Sequence, residues 1–205
     1  MCNGPTGGNA IEITNWATNV SDVSGCQHRL RSRHDDGYCP AIMNAPLADN
    51  LRFDIQGLSQ AIADCTASDG LQRQFSPSSW DALAAYLQPF SLKTGQVLTE
   101  QGAHDRILYF IESGTLSVHH EDENAHVRMA MVGSGSLVGE GGFFSHQPRT
   151  ATVQASSPCK LWCLTPLRFA ELASRHSSVG LELTMAMGAV MAKRLYNRSK
   201  RVAVT

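Results

Sequence analysis

Between Phe90 and Leu164 the chain is broken every several residues by turn-forming clusters: Lys93-Thr-Gly95, Gln101-Gly102, Ser113-Gly114, Asp122-Glu-Asn124 and Gly133-Ser-Gly135. The apolar stretches left between them, Gln96–Thr99, Ile107–Ile111, Leu116–His120, Val127–Met131, Ala151–Ala155 and Lys160–Leu164, are too short for stable helices and suit strands. Short strands at regular spacing, joined by glycine corners, predict an all-β barrel or jelly roll. On that reading Gly95, Gly102, Gly114 and Gly135 are corners and not site residues.

Helical periodicity flanks this region on both sides. Ile55, Leu58, Ile62 and Cys65 recur at helical spacing from Phe53 to Cys65, with Gly70 as the expected stop. Ser76-Pro77 reads as a cap followed by a first-turn proline, opening a helix that carries Trp80, Leu83, Ala84 and Leu87 until Pro89. Thr165-Pro166 opens another, to His176. A longer helix, Val179–Tyr196, bears Leu183, Met187, Val190, Met191 and Leu195 as an apolar stripe that needs a partner, either the barrel mouth or a second chain. Lys193, Arg194, Arg198, Lys200 and Arg201 follow with no acid after Glu182, cations that complement the dipole at a helix C-terminus or would contact a phosphate.

Residues 1–50 are rich in Gly, Asn, Ser, Thr and Asp without sustained periodicity and are expected to be a disordered tail. The expected organisation is therefore that tail, an N-terminal helical segment at 51–75, a folded domain at 76–196 and a basic tail at 197–205. With 42% hydrophobic residues in 205, one ordinary core is affordable, and a formal net charge of −1 gives no general attraction to DNA or to an anionic membrane. No run approaches the length of a membrane span and no signal peptide is recognisable, so a cytoplasmic protein is expected. Six cysteines, at 2, 26, 39, 65, 159 and 163, form no dense framework and fit reduced thiols. Cys26, His28, His34 and Cys39 are metal-ligating types, but their spacing matches no closed zinc module, and Arg29, Arg31 and Arg33 read as a solvated cluster.

Val138–Val153, Val-Gly-Glu-Gly-Gly-Phe-Phe-Ser-His-Gln-Pro-Arg-Thr-Ala-Thr-Val, is the run whose residues make chemical sense together. Gly139, Gly141 and Gly142 let backbone approach a ligand and turn into a short helix with free N–H groups. Glu140 is suited to accept from hydroxyl groups beside an anion, and Arg149 presents the planar guanidinium that matches phosphate oxygens. One cation, one acceptor and backbone donors suit a sugar phosphate.

This run resembles the phosphate-binding cassette of the cyclic-nucleotide-binding domain family: Gly-Glu, a short helix, then Pro-Arg-(Ala/Ser/Thr)-Ala-Thr. Gly95-Gln-Val-Leu-Thr-Glu-Gln-Gly102 and Leu108-Tyr-Phe-Ile-Glu-Ser-Gly114 support the resemblance, which extends over about Trp80–Leu195. It implies a jelly-roll barrel with flanking helices that binds cAMP or cGMP, with Glu140 on the ribose 2′-hydroxyl and Arg149 on the cyclic phosphate. Gly139, Gly141, Gly142 and Thr150 complete the expected site. In the family a threonine at the place of Thr150 contacts guanine in cGMP-dependent kinases, whereas a Ser or Thr there helps hold phosphate in bacterial dimeric regulators. The two glycines after Glu140 depart from the family's large aliphatic and small residue, and glycine inside a helix costs roughly 1 kcal/mol against alanine.

Other chemistries fit less well. His119 and His120 are neighbours on a strand and point to opposite faces, so they do not both ligate a metal inside a barrel as in cupins. Cys159 and Cys163 share one face, where packing explains them. No nucleophilic triad or dyad is recognisable. The expectation is a non-enzymatic, metal-free cyclic-nucleotide sensor acting through its C-terminal helix on a partner or, like many family members, on a homodimer. Crp/Fnr-type regulators carry a winged helix-turn-helix after the long helix; Thr205 comes first, so DNA is not an expected partner. The alternatives are a degenerate, ligand-free interaction module and a Crp/Fnr-type regulator lacking its DNA-binding part.

Overall fold

The computed structural model describes residues 53–202 apart from residue 73 and residues 123–126. The expected N-terminal tail, its Cys/His set and its arginine cluster lie outside the described residues, as does the end of the basic tail.

Among the described residues, eight strands form two four-stranded antiparallel sheets. The first has the order β1 (Gln88–Leu92), β8 (Cys159–Leu164), β3 (Leu108–Ser113), β6 (Leu137–Val138); the second is β2 (Val97–Thr99), β7 (Thr152–Ala155), β4 (Thr115–Glu121), β5 (Val127–Gly133). Both sheets contribute to one inner core. Phe90, Tyr109, Ile111 and Leu161 of the first meet Leu98, Leu116, Val153 and Ala155 of the second. Cys159 and Cys163 point into this same core, and burial pushes the Cys159 thiol up from its ordinary value.

The first sheet is buried on its other face too. Leu108, Phe110, Trp162 and Leu164 alternate with the inner residues and pack beneath a helical layer, the period-2 logic of a strand covered on both sides. That layer comprises α1 (Ile55–Ala63), α2 (Pro77–Ala84), α4 (Pro166–Arg175) and α5 (Ser177–Val202), with α3 (Glu140–Ser145) between β6 and β7. Three helix starts are set by side chains accepting from backbone N–H groups: Asp54 from Gln56, Ser76 from Ser79 and Thr165 from Arg168. Prolines occupy the first turns of α2 and α4, as the sequence predicts.

Several boundaries differ from expectation, α5 among them, which runs Ser177–Val202 where Val179–Tyr196 is expected and so takes in part of the expected basic tail. α1 ends at Ala63, its C-cap Asp64 already closing the turn, so Gly70 belongs to the following loop. α2 ends at Ala84, and Pro89 lies inside β1, pairing with Trp162; an edge strand tolerates a residue that cannot donate to the ladder. β6, only two residues long, carries too little pattern to read from sequence.

Part of the apolar stripe of α5 finds its partner at home; Leu195, read on the same stripe, does not. Leu183, Met187 and Val190 are at most 1% exposed and belong to the core that also holds Leu58, Ile62, Trp80 and Leu83. A different face of α5, with Leu181, Met185, Leu195 and Tyr196, is open to solvent.

Candidate functional site: a glycine-lined cassette with two internal ion pairs

The cassette follows β6. Gly139 takes φ 96°, and a Cβ there would stand 2.5 Å from both Arg149 Nη1 and the Ile107 carbonyl oxygen. Only glycine lets the backbone lie so close to the guanidinium. α3 then runs from Glu140 to Ser145 and closes on His146, which adopts the left-handed region at φ 58°. Gly141 faces open space, so the side chain it lacks would have had room. Ser145 Oγ donates to the Gly141 carbonyl (2.7 Å) and Arg106 Nη2 to that of Phe143 (3.0 Å), tying down a helix whose glycines give it little intrinsic stability.

Arg149 is 5% exposed. Its Nε donates to both carboxylate oxygens of Asp105 at 3.1 Å, and Nη2 makes a short contact with the same carboxylate. Nη1 reaches the Gly139 carbonyl (3.0 Å) and Nη2 that of Ile107 (2.6 Å). These bonds use four of the five N–H groups of the guanidinium and leave one on Nη1. Burial would push the Asp105 carboxyl up; hydrogen bonds and charge from Arg149, with help from Thr99 Oγ1 and the Ile107 N–H, outweigh it and hold the group below its ordinary value.

Glu140 is paired elsewhere. Its Oε1 accepts from Arg194 Nη1 of α5 at 2.6 Å. The same guanidinium donates through Nε to Asp69 (3.1 Å) and through Nη2 to the Leu137 carbonyl (2.9 Å). Burial would lower the Arg194 pKa, but the charges of Glu140 and Asp69 raise it above its ordinary value. Next to it, Lys193 Nζ donates to Gln72 Oε1 (2.6 Å), so two successive side chains fasten α5 to the loop after α1.

The inward face of β4 and β5 is not fully covered beside the cassette's end at Thr150. On β4 the inward positions run Leu116, Val118, His120; Leu116 is fully buried, the other two only half so. On β5, Ala130 pairs with Val118 and shares the face of half-buried Val132, yet is exposed. Inward residues of a sheet are ordinarily core, so exposure here marks open space over β4 and β5 beside Thr150. His120 Nδ1 meets the Thr150 carbonyl at 2.6 Å across its rim. His119 lies on the other face, its Nε2 at 2.9 Å from Ser117 Oγ, so the two histidines do point apart.

Residues 89–176 match the model of the cyclic nucleotide-binding domain. This part of the chain is a cyclic nucleotide-binding domain. A stretch of 74 residues is 36% identical to the cAMP-dependent protein kinase type II regulatory subunit of Drosophila melanogaster, covering 36% of this chain and 20% of that protein. Another of 108 residues is 29% identical to the cAMP-activated global transcriptional regulator of Pasteurella multocida, covering 52% of this chain and 50% of that one. The chain thus aligns with half or less of the length of these relatives. In three dimensions it resembles a cyclic nucleotide-binding domain from Methylobacillus flagellatus (TM-score 0.64, 19% identity, 73% of this chain and 82% of that). It also resembles the Thermus thermophilus catabolite activator protein (TM-score 0.57, 24% identity, 65% and 62%). The jelly-roll fold of the domain is thereby shown.

Within this cyclic nucleotide-binding domain, Gly139, Glu140, Gly141, Gly142, Arg149 and Thr150 all fall on the one cassette the sequence predicts. Its two charged members, however, do not face an open anion site in this structure: Arg149 turns inward to Asp105 and Glu140 toward α5. Asp105, Asp69 and Arg194 are the residues that sequence reasoning missed. Arg194 stood out as one of several C-terminal cations, but nothing in the linear pattern ties it to Glu140. Thr152, expected to be a strand residue, accepts from the Gln101 N–H (3.0 Å). Among the described residues no group of three metal-ligating side chains comes together, and no helix is long and apolar enough to cross a membrane.

Proposed function

We propose that the chain is a non-enzymatic sensor that binds cAMP or cGMP at the cassette and in the open space over β4 and β5 beside it. The observation that carries this reading is the packing of Arg149 under the Gly139 backbone, a fixed guanidinium at a place where no other residue would let the chain pass. The phosphate would take the remaining Nη1 hydrogen and cassette N–H groups, with Asp105 keeping the cation oriented. Glu140 would accept from the ribose 2′-hydroxyl. The relatives named above are regulators, which favours a regulatory role for this domain.

The proposed output is α5. A ribose hydroxyl competes with Arg194 for the Glu140 carboxylate, so occupancy weakens one of the contacts that hold the helix down. The resulting population shift is limited by the ligand's differential affinity for the two helix positions. Leu181, Met185, Gly188, Ala192 and Leu195, all exposed, recur along α5 at steps of 4, 3, 4 and 3, a seam on which a second copy would pack as a homodimer.

A second reading, a cassette that no longer binds, is favoured by the internal partners that Glu140 and Arg149 already have. Thermal melts with cAMP, cGMP and a linear nucleotide separate the two. At 100 times the dissociation constant a ligand stabilises by about 2.7 kcal/mol, a rise of about 5–10 °C for a domain of this size. Such a rise with a cyclic but not a linear nucleotide is the expected result. No shift with either cyclic nucleotide at millimolar concentration would leave the second reading.

A further inference from the structure

We propose that His120 reads the base of the bound nucleotide, as an acceptor for the amino group of a purine. The inference rests on the nucleotide reading of the cassette given above. A carbonyl oxygen only accepts, so the 2.6 Å contact between His120 Nδ1 and the Thr150 carbonyl requires the proton on Nδ1. In the neutral ring Nε2, on the far side, is then bare and accepts.

The position is right for a base. His120 continues the inward row Leu116–Val118 to the edge of that open space, and its ring touches the residue that follows Arg149, the phosphate-side end of the cassette. Val118 and Ala130, paired across β4 and β5, provide a low apolar floor beside it, and the small side chain of Ala130 leaves that floor open. A flat ring lying there has its polar rim at His120. An amino group donating to Nε2 satisfies both partners, whereas a purine without one forgoes that hydrogen bond, a loss expected as a selectivity of about tenfold.

The test is a calorimetric titration of the full chain with cAMP, cGMP and the 3′,5′-cyclic phosphate of unsubstituted purine riboside, on wild type, His120→Phe and His120→Gln. Wild type is expected to favour the better amino purine over the unsubstituted one by about tenfold. His120→Phe keeps the ring but loses the acceptor, and should bring that ratio within about twofold; His120→Gln keeps an amide oxygen and should hold it above about fivefold. Damage to the fold weakens all three ligands together and leaves the ratio unmoved, so the ratio isolates base contact. An unchanged ratio in His120→Phe, or a glutamine variant no more selective than it, overturns the inference while leaving the cassette reading intact. Absence of binding of all three to wild type overturns both.

Discussion

The two charged residues of the cassette are nine positions apart in the chain and have been given counter-charges of different kinds. Arg149 is matched by Asp105, on the turn into β3 of the same scaffold, and sits 5% exposed among backbone carbonyls that cannot move without the sheets. Glu140 is matched by Arg194, on the last turns of a 26-residue helix, through side chains left 15% and 23% exposed. The first pair fixes the Arg149 guanidinium to the scaffold, and on the proposed reading it would hold the anion site in place whether or not ligand is present. The second ties Glu140 to α5, and on the proposed reading it is there that occupancy would be converted into movement.

The sharpest way to break this contrast is to remove each cation in turn. Arg149→Ala strands a buried carboxylate and is expected to cost about 3–5 kcal/mol of stability along with all ligand response. The double variant Arg149→Ala/Asp105→Ala should recover part of that stability and none of the binding, by denaturant melts. Equal stability of the single and double variants would show that the pair is not the scaffold contact described.

Acid sharpens the same point without mutation. Because Asp105 titrates below its unfolded value in the native state, its contribution to stability is fully present above about pH 4 and is lost as pH falls through the lower folded value. Asp105→Asn should flatten that acid limb, measured as melting temperature against pH. A variant as acid-sensitive as wild type would assign the limb to other carboxylates.

Arg194→Ala, by contrast, frees Glu140 for the ribose, and the affinity for a cyclic nucleotide is expected to rise about fivefold, a coupling of the usual allosteric size. Native-state hydrogen exchange around Lys193–Tyr196 should quicken in the same variant. Unchanged affinity would make Arg194 a packing residue only. The smallest effect concerns Gly141, whose missing Cβ faces open space: Gly141→Ala should stabilise by about 0.5–1 kcal/mol in a chemical melt, and destabilisation would show that α3 needs the glycine.

What the sequence made legible is what local chemistry decides. The caps Ser76 and Thr165, the strands around Leu108–Ser113 and Cys159–Leu164, and the cassette itself each depend on residues within a few positions of one another. The partners of the cassette's charges do not. Asp105 lies 44 residues from Arg149, Arg194 lies 54 from Glu140 and 125 from Asp69, and only the fold brings them together. For the same reason the buried and exposed faces of α5 were hard to tell apart: Leu183, Met187 and Val190 form one apolar row, Leu181, Met185 and Leu195 another, and which row meets the core is decided by residues as distant as Leu58 and Ile62. Pro89 misled because a proline ends a helix and also suits an edge strand, and the edge is visible only once the sheet is assembled.

Direct titration of the full chain with cAMP and with cGMP, followed calorimetrically beside the Arg149→Ala/Asp105→Ala variant, goes to the centre of this account. It predicts saturable uptake of one cyclic nucleotide per chain by the wild type and none by the variant. Heats no greater than dilution for the wild type, or a variant that binds as well, would contradict it.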